Sequence, residues 1–190
     1  MTTIAAVQGS GWAVVGFDSR VVDESRVYIL PSNAGKIVRN GDYLLGAAGD
    51  MRAINLLGHV LKPPVPNPRD EGIKLDRFIS SKFIPALKSC FDDAQYGEKG
   101  EHDSHIICVV NGVIYDIGSN YDWCRDSSGI YAAGTGAGYA LGALQATLEG
   151  KKRTITSART LLKNAVSIAC RFDSNSAEPV HLLVQKKDDL

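Results

Sequence analysis

Thr2 is the residue from which chemistry can be built. Met1 precedes Thr2-Thr3-Ile4, and removal of an initiator methionine before a small residue is expected to leave a threonine with a free α-amine. Nucleophile and base would then sit on one residue. A hydroxyl needs a neighbouring base to take its proton, and an N-terminal amine is an accepted base for threonine. That amine has an unperturbed pKa near 8, so about a tenth is neutral at pH 7, and a cation lowering it by about one unit raises the fraction to about half. Lys36 is a candidate for that cation. By itself a Met-Thr start is common and carries no meaning, so the rest of the chain has to decide.

Competing chemistries find less support. His59, His102, His105 and His181 are scattered, with neither an H-E-x-x-H motif nor Cys/His ligand spacing, so no metal or other cofactor is expected. His102-Asp103-Ser104-His105 contains the residue types of a catalytic triad, but contiguous residues rarely converge on one reacting atom, and the stretch reads as a polar loop. Gly134-Thr135-Gly136-Ala137-Gly138 precedes a helical pattern, yet it has neither the G-x-G-x-x-G spacing nor the surrounding βαβ unit of a dinucleotide site.

The elements that must position Thr2 are read from periodicity. Residues 3–8 and Trp12–Phe17 are β-rich runs joined by Gly9-Ser10-Gly11, which places Thr2 at the head of the first strand. Further hairpins are predicted around Asn40-Gly41-Asp42, between runs 36–38 and 43–48, and around Asn111-Gly112, between 105–110 and 113–117. Helical spacing marks residues 51–61 and 73–94, the second with Pro85 implying a kink or break, and a Pro-rich connector covers 62–72. A charged segment at 97–104 ends that helix. A strand at 130–133, helices at 139–148 and 158–170 separated by Gly150-Lys151-Lys152-Arg153, and a last strand at 180–185 complete the pattern. Hairpin-paired strands argue for antiparallel sheets, and amphipathic helices need sheet faces to cover; two stacked sheets between two helical layers satisfy both.

Composition narrows the partners. The chain has 190 residues, enough for one domain with its own core over 1–190, and 21 basic residues balance 21 acidic ones. Such a balance gives no reason to expect nucleic acid or an anionic membrane, and no apolar run reaches the length of a membrane span. No basic region followed by an apolar one opens the chain, so the mature start is expected near residue 2. Cys90, Cys108, Cys124 and Cys170 lie far apart and read as buried reduced thiols, which favours a cytoplasmic setting.

Six stretches then fall in register. Thr2-Thr3-Ile4, Gly16-Phe17-Asp18-Ser19-Arg20, Gly35-Lys36-Ile37, Ala48-Gly49-Asp50, Ala133-Gly134-Thr135-Gly136 and Asp173-Ser174-Asn175-Ser176 resemble, in order and approximate spacing, the proteasome β-type subunits, over nearly the whole chain. The resemblance implies an N-terminal nucleophile hydrolase of the α+β class, a four-layer αββα sandwich. It also implies polypeptide substrates, two stacked homo-oligomeric rings around the proteolytic sites, and a separate ATP-driven unfoldase. Within it Thr2 looks like the nucleophile, Asp18 like the carboxylate that orients Lys36, and Lys36 like the cation beside the threonine hydroxyl. Gly49 matches the glycine whose N–H donates to the oxyanion. Thr135 stands where the family usually has serine, Asp173 and Ser176 match an Asp-x-x-Ser that supports the nucleophile's amino terminus, and Arg20 looks like a structural ion-pair partner.

On the residues alone, Asp18 also reads as a turn residue, Lys36 as a solvated side chain, Gly49 as a simple turn, Thr135 as a helix cap, and Asp173 and Ser176 as turn formers. The chain departs from the pattern at Ala177-Glu178-Pro179, where the family commonly has Gly-Gly. Its threonine follows Met1 directly, as in HslV-type peptidases, although those generally lack the late Asp-x-x-Ser. Two other readings stay open: a non-catalytic ring-forming subunit of the same fold, and a small-molecule amidase using the same N-terminal machinery.

Overall fold

The computed structural model describes residues 2–23, 26–31, 35–98, 100–148 and 153–187. Met1 and residues 150–152 of the expected connector lie outside them. In chain order the first half contains β1 (Ile4–Gly9), β2 (Trp12–Phe17), β3 (Arg20–Asp23), β4 (Arg26–Ile29), β5 (Ile37–Asn40), β6 (Tyr43–Ala48) and α1 (Met51–His59). Next come α2 (Ile73–Phe78), a π turn (Ile79–Phe83), α3 (Ile84–Asp93), β7 (His105–Val110), β8 (Val113–Ile117) and β9 (Trp123–Cys124). The chain closes with β10 (Ile130–Ala133), α4 (Ala137–Leu148), α5 (Ile155–Phe172) and β11 (His181–Lys186).

One antiparallel sheet has the order β10-β1-β2-β11 and another the order β5-β6-β7-β8-β9. Alternation along the strands sorts side chains into three cores, as period-two geometry requires. Ile4, Ala6, Val15 and Phe17 of the first sheet meet Leu44, Ile107, Val109 and Ile114 of the second. The intervening residues Ala5, Val7 and Val14 turn the other way, against Leu144 of α4 and Leu162 and Val166 of α5. On the far side of the second sheet, Tyr43, Leu45, Cys108 and Tyr115 lie under Leu57, Phe83 and Phe91 of the other helical layer. The result is the four-layer αββα sandwich expected of the pattern.

Several local expectations need correction. The helix over 73–93 is not broken at Pro85: the Ile84 N–H reaches back to the Ile79 carbonyl, and this wider π turn comes just before the proline, which has no N–H to give. The helix expected at 158–170 is longer at both ends, started by a capping box in which Thr154 and Ser157 satisfy each other's backbone N–H groups. Strands β3, β4 and β9 were not expected. The first two form a separate ribbon whose Val27, Tyr28 and Ile29 are all exposed, so burial imposes no alternation there. The stretch 102–105 is no polar loop: His102 and Ser104 are buried, with the His102 ring edge-on to Phe91 and Tyr121. Of the cysteines only Cys108 is fully buried, and Cys124 is exposed. Among the described residues no helix is long and apolar enough to cross a membrane.

Candidate active site

The β1–β2 pairing, which sets Ile4 opposite Phe17, brings residues 2–3 and Asp18 together at one end of the first sheet. Asp18 and Thr3 then close on each other. The Asp18 N–H donates to the Thr3 carbonyl at 3.1 Å, and the Thr3 N–H donates to Asp18 Oδ1 at 2.8 Å. Lys36, immediately before β5, reaches the same oxygen with Nζ at 2.6 Å, and neither side chain of this pair is exposed beyond 1%. Asp18 Oδ2 accepts the Arg20 N–H at 2.9 Å and the Ala177 N–H at 3.0 Å. Four donors thus hold one buried carboxylate in place. Burial pushes the Lys36 ammonium below the usual lysine range against the opposing pull of Asp18.

A second network lies on the other flank. Ser176 Oγ donates to Asp173 Oδ2 at 2.6 Å, and Thr135 Oγ1 donates to the same oxygen at 2.7 Å. Thr3 Oγ1 and Ser176 Oγ are 2.7 Å apart. Each hydroxyl has one proton. Since Ser176 spends its proton on Asp173, the Thr3 hydroxyl is the donor to Ser176, which gives the chain Thr3→Ser176→Asp173←Thr135. Burial pushes the Asp173 carboxyl up, but the hydrogen bonds from Ser176, Thr135 and Asn175 together outweigh it and leave the group below its ordinary range. Thr135, whose place before a helix suits a cap, spends its hydroxyl on Asp173 instead.

The Gly134-Thr135-Gly136 stretch explains its own composition. A side-chain carbon at Gly134 would collide with the Thr2 carbonyl, and one at Gly136 with the Thr3 hydroxyl. The Gly136 N–H points at the Thr2 carbonyl at 3.4 Å. These glycines let the loop before α4 clamp the backbone of residues 2 and 3. The Ala177-Glu178-Pro179 departure is tied in as firmly: besides the Ala177 N–H on Asp18, the Ala177 carbonyl accepts the Ser19 N–H at 2.9 Å, and Ser19 Oγ donates to the Pro179 carbonyl at 2.5 Å.

Gly49 ends the crossing from β6 to α1 at φ +140°, a conformation that favours glycine, with the Asp103 carbonyl and Ser104 side chain packed directly behind it. Asp50 caps α1 by accepting the Arg52 N–H at 2.8 Å. Gly49 and Thr2 line one cavity of about 480 Å³, which Val21, Val22 and Tyr28 of the β3–β4 ribbon and Met51 also help to form. Thr2 is 4% exposed, and among the described residues its hydroxyl has no hydrogen-bond partner. Among those residues no group of His, Cys, Asp and Glu could hold a metal ion.

All seven residues singled out in the sequence are thus placed in one region: Asp18 and Lys36 as a buried pair, Thr135, Asp173 and Ser176 as one network, Thr2 and Gly49 on one cavity. Arg20 differs from expectation. Among the described residues its guanidinium makes no ion pair but donates to the Ser174 carbonyl at 2.6 Å. Thr3, which joins the two networks through its amide and its hydroxyl, and the ribbon residues of the cavity were missed. The doubled Thr2-Thr3 was the available signal for Thr3.

The arrangement of layers is that of the N-terminal nucleophile hydrolase sandwich. Solved structures with it include BPH from Thiobacillus denitrificans in complex with epoxomicin, which shares 19% identity over 97% of this chain and 98% of that one at a TM-score of 0.72. A second structure of Thiobacillus denitrificans BPH gives 18% identity, the same coverage and 0.71. Eukaryotic HslV from Trypanosoma brucei gives 22% identity over 97% of this chain and 99% of its own, at 0.66. No family model matches the sequence, and no curated protein sequence matches it. At such identities the likeness establishes the fold.

Proposed function

We propose that this chain is a threonine-type endopeptidase subunit in which the Thr2 hydroxyl attacks a peptide carbonyl once Met1 has been removed. The observation that carries the reading is the Lys36–Asp18 pair, buried at 2.6 Å and bound through Asp18 to the backbone of the residue next to Thr2. A lysine is not buried without a purpose or a partner. Here its positive charge lowers the pKa of the Thr2 amine and favours loss of the hydroxyl proton. The Thr2 oxygen bonds to the substrate carbonyl carbon while the amine takes the proton, directly or through water. The Gly49 N–H donates to the resulting oxyanion. Collapse breaks the C–N bond, and the leaving amine takes the proton. Water then hydrolyses the ester on Thr2 and restores the hydroxyl. The Thr3–Ser176–Asp173–Thr135 network holds the amino-terminal segment in register, and no cofactor enters the cycle.

The assembly belongs to the same proposal: one cytoplasmic polypeptide domain, a homo-oligomeric double ring enclosing the sites, and a separate ATP-driven unfoldase for folded substrates. The likeness to HslV supports it, as do the exposed apolar side chains Val27, Tyr28 and Ile29 on β4 and Tyr139 and Phe172 on α4 and α5, which suit contact with a neighbour. The test joins intact-mass measurement of the purified subunit with hydrolysis of fluorogenic peptides. A preparation lacking Met1 cleaves and its Thr2→Ala variant does not. Cleavage through Thr2 by a subunit that retains Met1, whose amide nitrogen cannot accept a proton, contradicts the mechanism.

A further inference from the structure

We infer that the cavity above Thr2 selects peptides carrying lysine or arginine on the acyl side of the scissile bond, an inference that rests on Thr2 being the nucleophile. The residue whose carbonyl is attacked must sit over Thr2, so its side chain enters the space that Thr2 shares. Val22, Ala47 and Met51 give that space an apolar wall, Tyr28 adds a phenol ring, and Asp23 and Asp50 add carboxylates. No basic side chain lines it among the described residues. Lysine and arginine combine an apolar stem with a cationic head and match both parts of such a wall. The Tyr28 ring offers the head a further attraction.

The field extends beyond the cavity. A neighbouring one of about 570 Å³ shares Asp50 and adds Glu98, Glu101 and Asp103. Arg52, the basic residue among its described lining, is engaged by the Ala94 carbonyl at 2.5 Å and lies 5.9 Å from the Tyr96 ring centre. On a chain of zero formal net charge, this concentration of carboxylates beside the nucleophile is a local feature. It attracts cationic peptides and repels acidic ones.

The test uses four coumarin-amide peptides that differ only in arginine, lysine, leucine or glutamate before the coumarin, with the assembled protein freed of Met1. The expected kcat/KM for arginine and lysine exceeds that for leucine by about tenfold, glutamate is cleaved slowest, and the preference narrows as salt rises from about 0.05 to 0.5 M. Asp23→Asn and Asp50→Asn should each lower the arginine-to-leucine ratio by about fivefold. Asparagine caps a helix as well as aspartate does, so Asp50→Asn keeps α1 intact. An arginine-to-leucine ratio of one or less, with leucine cleavage still abolished by Thr2→Ala, overturns the inference and leaves the nucleophile in place. Failure of the Met1-free protein to cleave any of the four overturns both.

Discussion

Replacing Lys36 by methionine removes a charge while nearly keeping volume, and its consequences can be worked out from the bonds around Asp18. The ammonium and the Thr3 amide share Asp18 Oδ1, so the charge lies within two hydrogen-bond lengths of the residue after Thr2. Two unit charges about 6 Å apart at an effective dielectric near 20 interact by about 2.8 kcal/mol, or about two pKa units. Without Lys36 the neutral fraction of the Thr2 amine at pH 7 falls from about nine-tenths to about a tenth, so kcat should fall about tenfold from this cause alone. Stability falls too. Breaking a buried pair costs about 3–5 kcal/mol, but Asp18 keeps the Thr3, Arg20 and Ala177 N–H donors. We therefore expect about 2–4 kcal/mol and a drop in Tm of roughly 4–16 °C for a chain of this size. The assay is kcat for a fluorogenic peptide from pH 6 to 10, with a melting curve at each pH. Activity should recover partly toward pH 10, where the amine becomes neutral unaided. Undiminished kcat at pH 7, with turnover still dependent on Thr2, refutes the reasoning.

Gly49→Ala should lose most activity and a few kcal/mol of stability, because φ +140° is closed to alanine and its methyl would meet the Asp103 carbonyl; peptide hydrolysis and thermal melts check it. Asp173 binds its proton less readily folded than unfolded, so its contribution is present above the ordinary carboxylate pKa of 3.8 and is lost as pH falls through the lower folded value. Wild type should therefore lose Tm more steeply below pH 4 than Asp173→Asn, as differential scanning from pH 2 to 5 will show. Native mass spectrometry at micromolar concentration should find a closed ring assembly; a stable monomer that hydrolyses peptides would favour the small-molecule amidase reading instead.

The layers were legible because both sheets bury two faces. Strands such as β1 and β7 must then alternate two cores, and α5 must present Leu162 and Val166 at helical spacing. The β3–β4 ribbon was not legible for the same reason: it covers no core, and Val27, Tyr28 and Ile29 are all exposed, so no buried face imposes an alternation. Pro85 signalled an irregularity in the helix, but its form was not legible, because the π turn that accommodates the proline leaves no mark in apolar spacing. Within the site, short motifs located the groups but not their partners. Thr135 and Asp173 are 38 residues apart, and only the packing of the loop before α4 against the end of α5 joins them.

The two networks also explain why the segment around residue 2 can be held in place without engaging the hydroxyl of Thr2, the proposed nucleophile. Thr3 carries the anchoring: its amide goes to Asp18, its carbonyl to the Asp18 N–H, and its hydroxyl to Ser176. Thr2 is held through its carbonyl, against the Gly136 N–H, and by the clamp of Gly134. Among the described residues its hydroxyl has no hydrogen-bond partner, and Thr2 lines the cavity. A site designed only for stability would satisfy that hydroxyl and would not bury an ammonium whose pKa falls on folding. That depression means the unfolded chain binds the Lys36 proton more tightly, so folding is disfavoured at every pH below the lowered value and the penalty lifts only toward 10.5. The cost is borne where, in the mechanism proposed above, a positive charge next to Thr2 has its chemical use.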